Sequence, residues 1–231
     1  MEAIYFSAPI NLWRDFILED SNSMDCLYDV QCWCIGDYET IEDAQRNLRI
    51  CYHKKDVVES RCKELRGEYN SNIKFSISRT LMWDYFDNIT TKTEYDKLLL
   101  LAYLSLKSLS KTDRPCIANN DVMFARMAGY DSFEEAEESE DEICKFFDTP
   151  KKKRYYGEKL RLDLMTRFQH FHAYSTKGKR GFAFMISNKV SRITAMSKLA
   201  SHMEKRTQKY KQNELKKLMK VGKTIFPNPT P

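Results

Sequence analysis

Glycine is scarce in this chain. Only seven of its 231 residues are Gly, about 3% against a usual ~7%. That excludes collagen-like and Gly/Ser-linker sequences, and it argues against a phosphate site built from several glycines. The specific phosphate motifs are also missing. There is no G-x-x-x-x-G-K-[ST], no G-x-G-x-x-G, and no H-E-x-x-H for a zinc hydrolase. Long apolar runs are lacking too: Leu98 to Leu104 is the longest, far short of the ~20 residues needed to span a bilayer. Met1 to Ile10 has no basic segment and is acidic at Glu2, so no secretory leader is expected. These absences predict a cytoplasmic chain without a membrane partner.

The seven cysteines (Cys26, Cys32, Cys34, Cys51, Cys62, Cys116, Cys144) are odd in number, and no C-x-x-C spacing joins any two of them. Four-ligand zinc is therefore not expected, nor any other metal or cofactor. Reduced, buried thiols fit the pattern better. Cys51-Tyr52-His53 pairs a thiol with an imidazole, but alternation points the two side chains in unlike directions.

What is present is a folded composition, with 42% hydrophobic and 13% aromatic residues. The formal charge of +5 hides an asymmetry. Residues 1–150 carry 17 Lys+Arg against 29 Asp+Glu, a net −12, whereas residues 151–231 carry 21 against 4, a net +17. So large a surplus at one end points to a polyanion partner. The competing explanation is that the two halves neutralise each other inside the fold.

Up to about residue 90 the chain reads as a helical module with short strands. Ile4 to Phe6 suggests a strand, and Leu12, Trp13, Phe16 and Ile17 one face of a short helix. Ser23 to Ile35, Thr40 to Ile50 and Lys55 to Glu68 predict three more helices. Ile73, Phe75 and Ile77 alternate with polar residues as in a strand. Trp13, Trp33 and Trp83 are assigned to packing. This segment, 1–90, is expected to hold a protein partner or a second copy of the chain.

The pattern sharpens from Thr93. Thr93 and Asp96 form a capping box ahead of a leucine-rich helix reaching Leu109. Lys111 to Pro115 is a turn. Asn119 or Asn120 can cap a short helix over Asp121 to Ala128, closed by Gly129. An acidic insert, 131–148, carries nine carboxylates and one lysine and is expected to be a solvated surface helix. A basic helix follows over Lys151 to Phe168. Two strands, Phe171 to Tyr174 and Phe182 to Ile186, then flank a Lys/Arg-rich turn.

This order of elements, with the basic hairpin tip, resembles a winged helix-turn-helix domain over residues 93–187. The resemblance implies a mainly α protein with small β structure: a winged-helix-like domain over 91–187 following the helical N-terminal module. It also implies that the helix beginning at Lys151 reads the major groove of double-stranded DNA while the hairpin lies along the backbone. The insert between the second and third helices departs from that pattern, where a tight turn is usual.

The nucleic-acid-binding residues expected on the third helix are Lys151, Lys152, Lys153, Arg154, Lys159, Arg161 and Arg167, with Lys177, Lys179 and Arg180 at the hairpin tip. Tyr156, Leu160, Leu164 and Phe168 form one apolar stripe of that helix, and Tyr155, Leu162 and Met165 a second. The cations fall in both gaps. Four positive charges at a helix start oppose the macrodipole, so stability alone does not explain them. The segment 188–231 predicts a long basic helix with a seam of Ile193, Met196, Ala200 and Met203, further phosphate contacts at Lys205, Arg206 and Lys209, and a Pro-rich tail.

The expected function is a DNA-binding replication initiator or transcriptional regulator of a phage or plasmid, not an enzyme. One alternative is a virion-associated protein that contacts nucleic acid or an acidic partner without sequence choice. The other rests on His170-Phe171-His172, which is similar to the metal site of rolling-circle nickases, with Tyr210 as nucleophile. Asn213 stands where that family places a lysine.

Overall fold

The computed structural model describes residues 4–18, 23–50, 54–69, 74–82, 92–110, 113–147, 149–176 and 181–225. The protein is mainly helical, with a two-stranded and a three-stranded antiparallel sheet. Its contacts divide it into two compact units: residues 1–109 with 120–164, and residues 110–119 with 165–231. Neither unit is continuous in sequence. The boundaries at 90 and 187 follow a different logic, that of element order.

The first unit opens with β1 (Tyr5–Pro9), paired with β2 (Lys74–Ser78) in register Phe6 to Ile77. Between these strands lie α1 (Ile10–Leu18), α2 (Ser23–Ile35), α3 (Ile41–Leu48) and α4 (Lys55–Glu68). The apolar spacing of α1 buries Ile10, Leu12, Trp13, Phe16 and Ile17. Thr40 caps α3 by accepting from the Asp43 N–H at 3.1 Å. Arg61 of α4 holds both carboxylate oxygens of Asp29 on α2, at 2.7 and 2.6 Å, a planar fork suited to a carboxylate. Trp13 and Trp33 are buried, as packing residues should be. Trp83, Cys26 and the Cys51-Tyr52-His53 segment lie outside the described side chains.

The same unit continues with α5 (Glu94–Leu109), α6 (Asn120–Met127), α7 (Phe133–Glu138) and α8 (Glu142–Phe146), and takes in most of α9 (Pro150–Arg167). Thr93 and Asp96 form the reciprocal cap: Thr93 N–H donates to Asp96 at 3.0 Å, and Asp96 N–H to Thr93 at 3.2 Å. The leucines of α5 are buried around most of its circumference. Gly129 ends the α6 segment at φ +92°, a conformation glycine adopts without a Cβ penalty.

The acidic insert is not one solvated helix. It forms α7 and α8, whose inner sides bury Ala136, Ile143 and Cys144, and Phe147 just beyond α8 stacks on Phe124 at 4.0 Å. Its acidic side chains are mostly exposed, but Asp141 is buried. That carboxylate caps α8 through Ile143 N–H at 2.8 Å and pairs with Arg14 at 2.7 Å.

The second unit holds β3 (Cys116–Ala118), β4 (Phe171–Tyr174), β5 (Phe182–Ile186) and α10 (Arg192–Ile225). The strands are ordered β3-β5-β4, all antiparallel. One sheet face presents Ala183 and Met185, on which Ala195, Leu199 and Met203 of α10 pack. The other carries Phe171, Phe182 and Phe184, all buried. The α10 seam therefore corrects the expected one. Met203 belongs to it and Met196 flanks it, but Ile193 is 84% exposed. Ser191 precedes the helix and bonds the Thr194 N–H at 3.3 Å, which leaves Ile193 in the first turn, before the helix reaches the sheet.

Candidate nucleic-acid interface

Helix α9 packs through Gly157, Leu160 and Leu164, which are buried. Gly157 sits against Asn120, the first residue of α6. A Cβ built at 157 would lie 2.4 Å from the Asn120 Cγ. Only glycine admits this approach. Asn120 then bridges the helices, its Nδ2 donating to the Lys153 carbonyl at 2.9 Å while its Oδ1 accepts from Arg161 at 2.5 Å.

That bridge sorts the expected cations. Arg161 is largely withdrawn from solvent, and burial lowers its guanidinium pKa. Lys153 pairs with Asp121 at 3.3 Å and lies 3.5 Å above the Phe133 ring. Both residues are committed within the fold. Lys151, Lys152, Arg154, Lys159 and Arg167 are exposed. Lys152 sits 5.5 Å from the Phe146 ring centre, and Lys159 lies 4.3 Å above Tyr95. Lys151 and Arg154 meet no carboxylate within ion-pair distance among the described residues.

The outward side of α9 holds two residues of the second apolar stripe. Tyr155 is 61% and Leu162 57% exposed. Periodicity marks them as an apolar stripe, but nothing local tells which of two stripes turns inward. Phe146 on α8, 43% exposed, was also not signalled by the sequence.

In the second unit, Gly181 opens β5 at φ +90°, with the Ala118 carbonyl of β3 only 2.7 Å from where a Cβ would stand. This glycine lets the hairpin return against β3. The tip residues Lys177, Lys179 and Arg180 lie outside the described residues. Lys205, Arg206 and Lys209 follow Met203, the last residue of the α10 seam, and all three are exposed. From Glu204 to Ile225 the helix continues for about 33 Å. Its described side chains there are exposed, save Thr207 and Glu214, which are half-buried.

The two histidines of the His-x-His pair differ in surroundings. His172 on β4 is buried, and burial lowers its pKa, as does the nearby Arg192. His170 precedes the strand, half-buried, with its carbonyl accepting from the Ser187 N–H at 2.9 Å. Ser187 in turn donates to Asp113 at 2.5 Å. Among the described residues no three His, Cys, Asp or Glu side chains gather as a metal site. Tyr210 stands exposed on α10. No helix among the described residues is long and apolar enough to cross a membrane. No protein-family model, curated protein or solved structure matches this chain.

Proposed function

We propose that this chain is a DNA-binding protein of the winged helix-turn-helix kind, acting as a replication initiator or transcriptional regulator of a phage or plasmid. The observation that carries the reading is the order α5-β3-α6-α7-α8-α9-β4-β5, in which α7 and α8 stand where a tight turn is usual, with the sheet arranged β3-β5-β4. A buried helix, a short helix, a basic helix and then a two-strand hairpin is the order on which the resemblance rests, and β3 pairs with that hairpin as a third strand.

Charge supports the same reading. Lys151, Arg154, Lys205, Arg206 and Lys209 are exposed and meet no carboxylate within ion-pair distance among the described residues. Internal neutralisation between the acidic and basic halves therefore does not account for them. Lys151, Lys152, Arg154 and Lys159 on α9 would supply base and phosphate contacts. Lys205, Arg206 and Lys209 on α10, with Lys177, Lys179, Arg180 and Arg167, would add phosphate attachment.

The test is duplex binding measured against salt concentration. A regulator or initiator binds a preferred site several orders of magnitude more tightly than random duplex, and log K falls linearly with log salt. Selection from a random-sequence duplex pool identifies the site. Salt-sensitive binding without any preference favours the virion-associated alternative. Absence of salt-sensitive binding to any duplex overturns the reading.

A further inference from the structure

The duplex contacts proposed above do not call on the aromatic rings at the junction of α8 and α9. Phe146, Tyr156 and Tyr155 follow one another there, with ring centres 5.2 Å and then 5.1 Å apart. The row is anchored at its inner end, where Phe147 is fully buried and meets both Phe146 at 4.9 Å and Tyr156 at 5.6 Å. Phe146 and Tyr155, its outer members, are 43% and 61% exposed. A soluble surface gains nothing from leaving two large rings in water beside each other, so their exposure asks for an occupant.

The cations select which occupant. Lys152 sits over the Phe146 ring at 5.5 Å, and Lys159, one helical turn from Tyr155, is exposed above Tyr95. Lysine is depleted at the centre of protein–protein interfaces. Aromatic rings interleaved with lysines are instead the recurring chemistry for unpaired nucleic acid, where bases stack on the rings and cations follow the phosphates. Duplex DNA keeps its base faces covered by their neighbours and offers no face to such rings.

We infer that the Phe146–Tyr156–Tyr155 row is a stacking platform for unpaired bases of a single strand. Lys152 and Lys159 contact the adjoining phosphates, and Lys152 exchanges its ring contact for a phosphate when the strand binds. The platform rests on the nucleic-acid reading above and adds a second substrate form to it, a melted or single-stranded segment that engages Lys152 and Lys159 in place of duplex phosphates. All of its residues lie in one compact unit.

The experiment is fluorescence anisotropy with the full chain, using a labelled twelve-nucleotide oligo-dT and a labelled blunt duplex at one salt concentration. Tyr155→Ala and Phe146→Ala are each expected to weaken oligo-dT binding by roughly 5- to 150-fold while changing duplex affinity less than about twofold. Tyr155→Trp, which keeps a stacking face, is expected to restore the affinity. Tyr155 is exposed, so its replacement leaves the fold intact even if Phe146→Ala does not. Photocrosslinking of an oligonucleotide bearing 5-iodouracil, mapped by mass spectrometry, should mark Tyr155 or Phe146. Unchanged oligo-dT binding by the alanine variants overturns the inference, as does equal loss on both probes. Duplex binding with no oligo-dT binding by the native chain also overturns it and leaves the proposed function standing. Binding of neither probe removes both. A protein docking role is what remains if the alanine variants lose a protein partner but no nucleic acid.

Discussion

Replacing Gly157 by alanine isolates the contact that organises α9. In most helices Gly→Ala is stabilising by about 1 kcal/mol. Here the new Cβ would stand 2.4 Å from Asn120 Cγ and Nδ2, and 2.5 Å from Oδ1, so the amide must move or the helices must part. Overpacking of this kind costs about 2 kcal/mol. Displacing Asn120 also breaks its bond from the partly buried Arg161. A hydrogen bond to a charged group is worth about 1.5 kcal/mol. Set against the propensity gain of about 1 kcal/mol, the net expectation is a loss near 2.5 kcal/mol. Urea unfolding followed by circular dichroism measures it. The decisive comparison is a double-mutant cycle. The three atoms nearest the new Cβ all belong to the Asn120 side chain beyond its own Cβ. In an Asn120→Ala background, Gly157→Ala should therefore reverse sign and stabilise by about 1 kcal/mol. If Gly157→Ala has the same sign in both backgrounds, the account of this glycine is wrong.

Three further outcomes follow from the same geometry. Replacing Lys151, Lys152 and Arg154 together by glutamine should leave unfolding unchanged and flatten the slope of log K for duplex against log salt by up to about 2.7, at about 0.9 per phosphate contact. On α10, Leu199→Ala should cost about 2–5 kcal/mol, while Ile193→Ser should fall within about 0.5 kcal/mol of the parent; thermal melts of the two variants separate the observed seam from the expected one. Burial holds the His172 pKa below its ordinary value of 6.5, so as pH falls the unfolded chain binds the proton before the folded one. Stability from this site is therefore complete above about pH 6.5 and declines below it. His172→Gln should remove that part of the pH dependence in urea titrations between pH 5 and pH 8.

The elements with strong local signals are legible in the sequence. The capping box at Thr93, the spacing of Leu12, Trp13, Phe16 and Ile17, and the apolar run of Phe182 to Ile186 each specify their own conformation. What is not legible depends on a distant partner. β3 is three residues long, too short for alternation to register, and exists through its pairing with β5. Asn120 has the chemistry of a helix cap but lies inside its helix, with its side chain spent on α9. Ile193 fits an apolar seam by spacing, yet falls in the first turn of α10, ahead of the residues that reach the sheet.

The division among the cations of α9 has a single geometric cause. At 100° per residue, Gly157, Leu160 and Leu164 define the inner line of the helix, and Lys153 and Arg161 stand one turn before and after the glycine. Those two cations accordingly meet α6, where Asp121 and Asn120 receive them. Lys151, Tyr155, Lys159 and Leu162 fall on the opposite arc, where no core exists to receive them. A count of large apolar residues alone leaves two stripes of similar strength and no way to choose. Treating Gly157 as an inward-facing residue breaks the tie, because a mid-helix glycine costs about 1 kcal/mol and persists where another element must approach closely. On that criterion Lys151 and Lys159 and the two exposed side chains Tyr155 and Leu162 fall together as one surface, and Lys153 and Arg161 drop out of it.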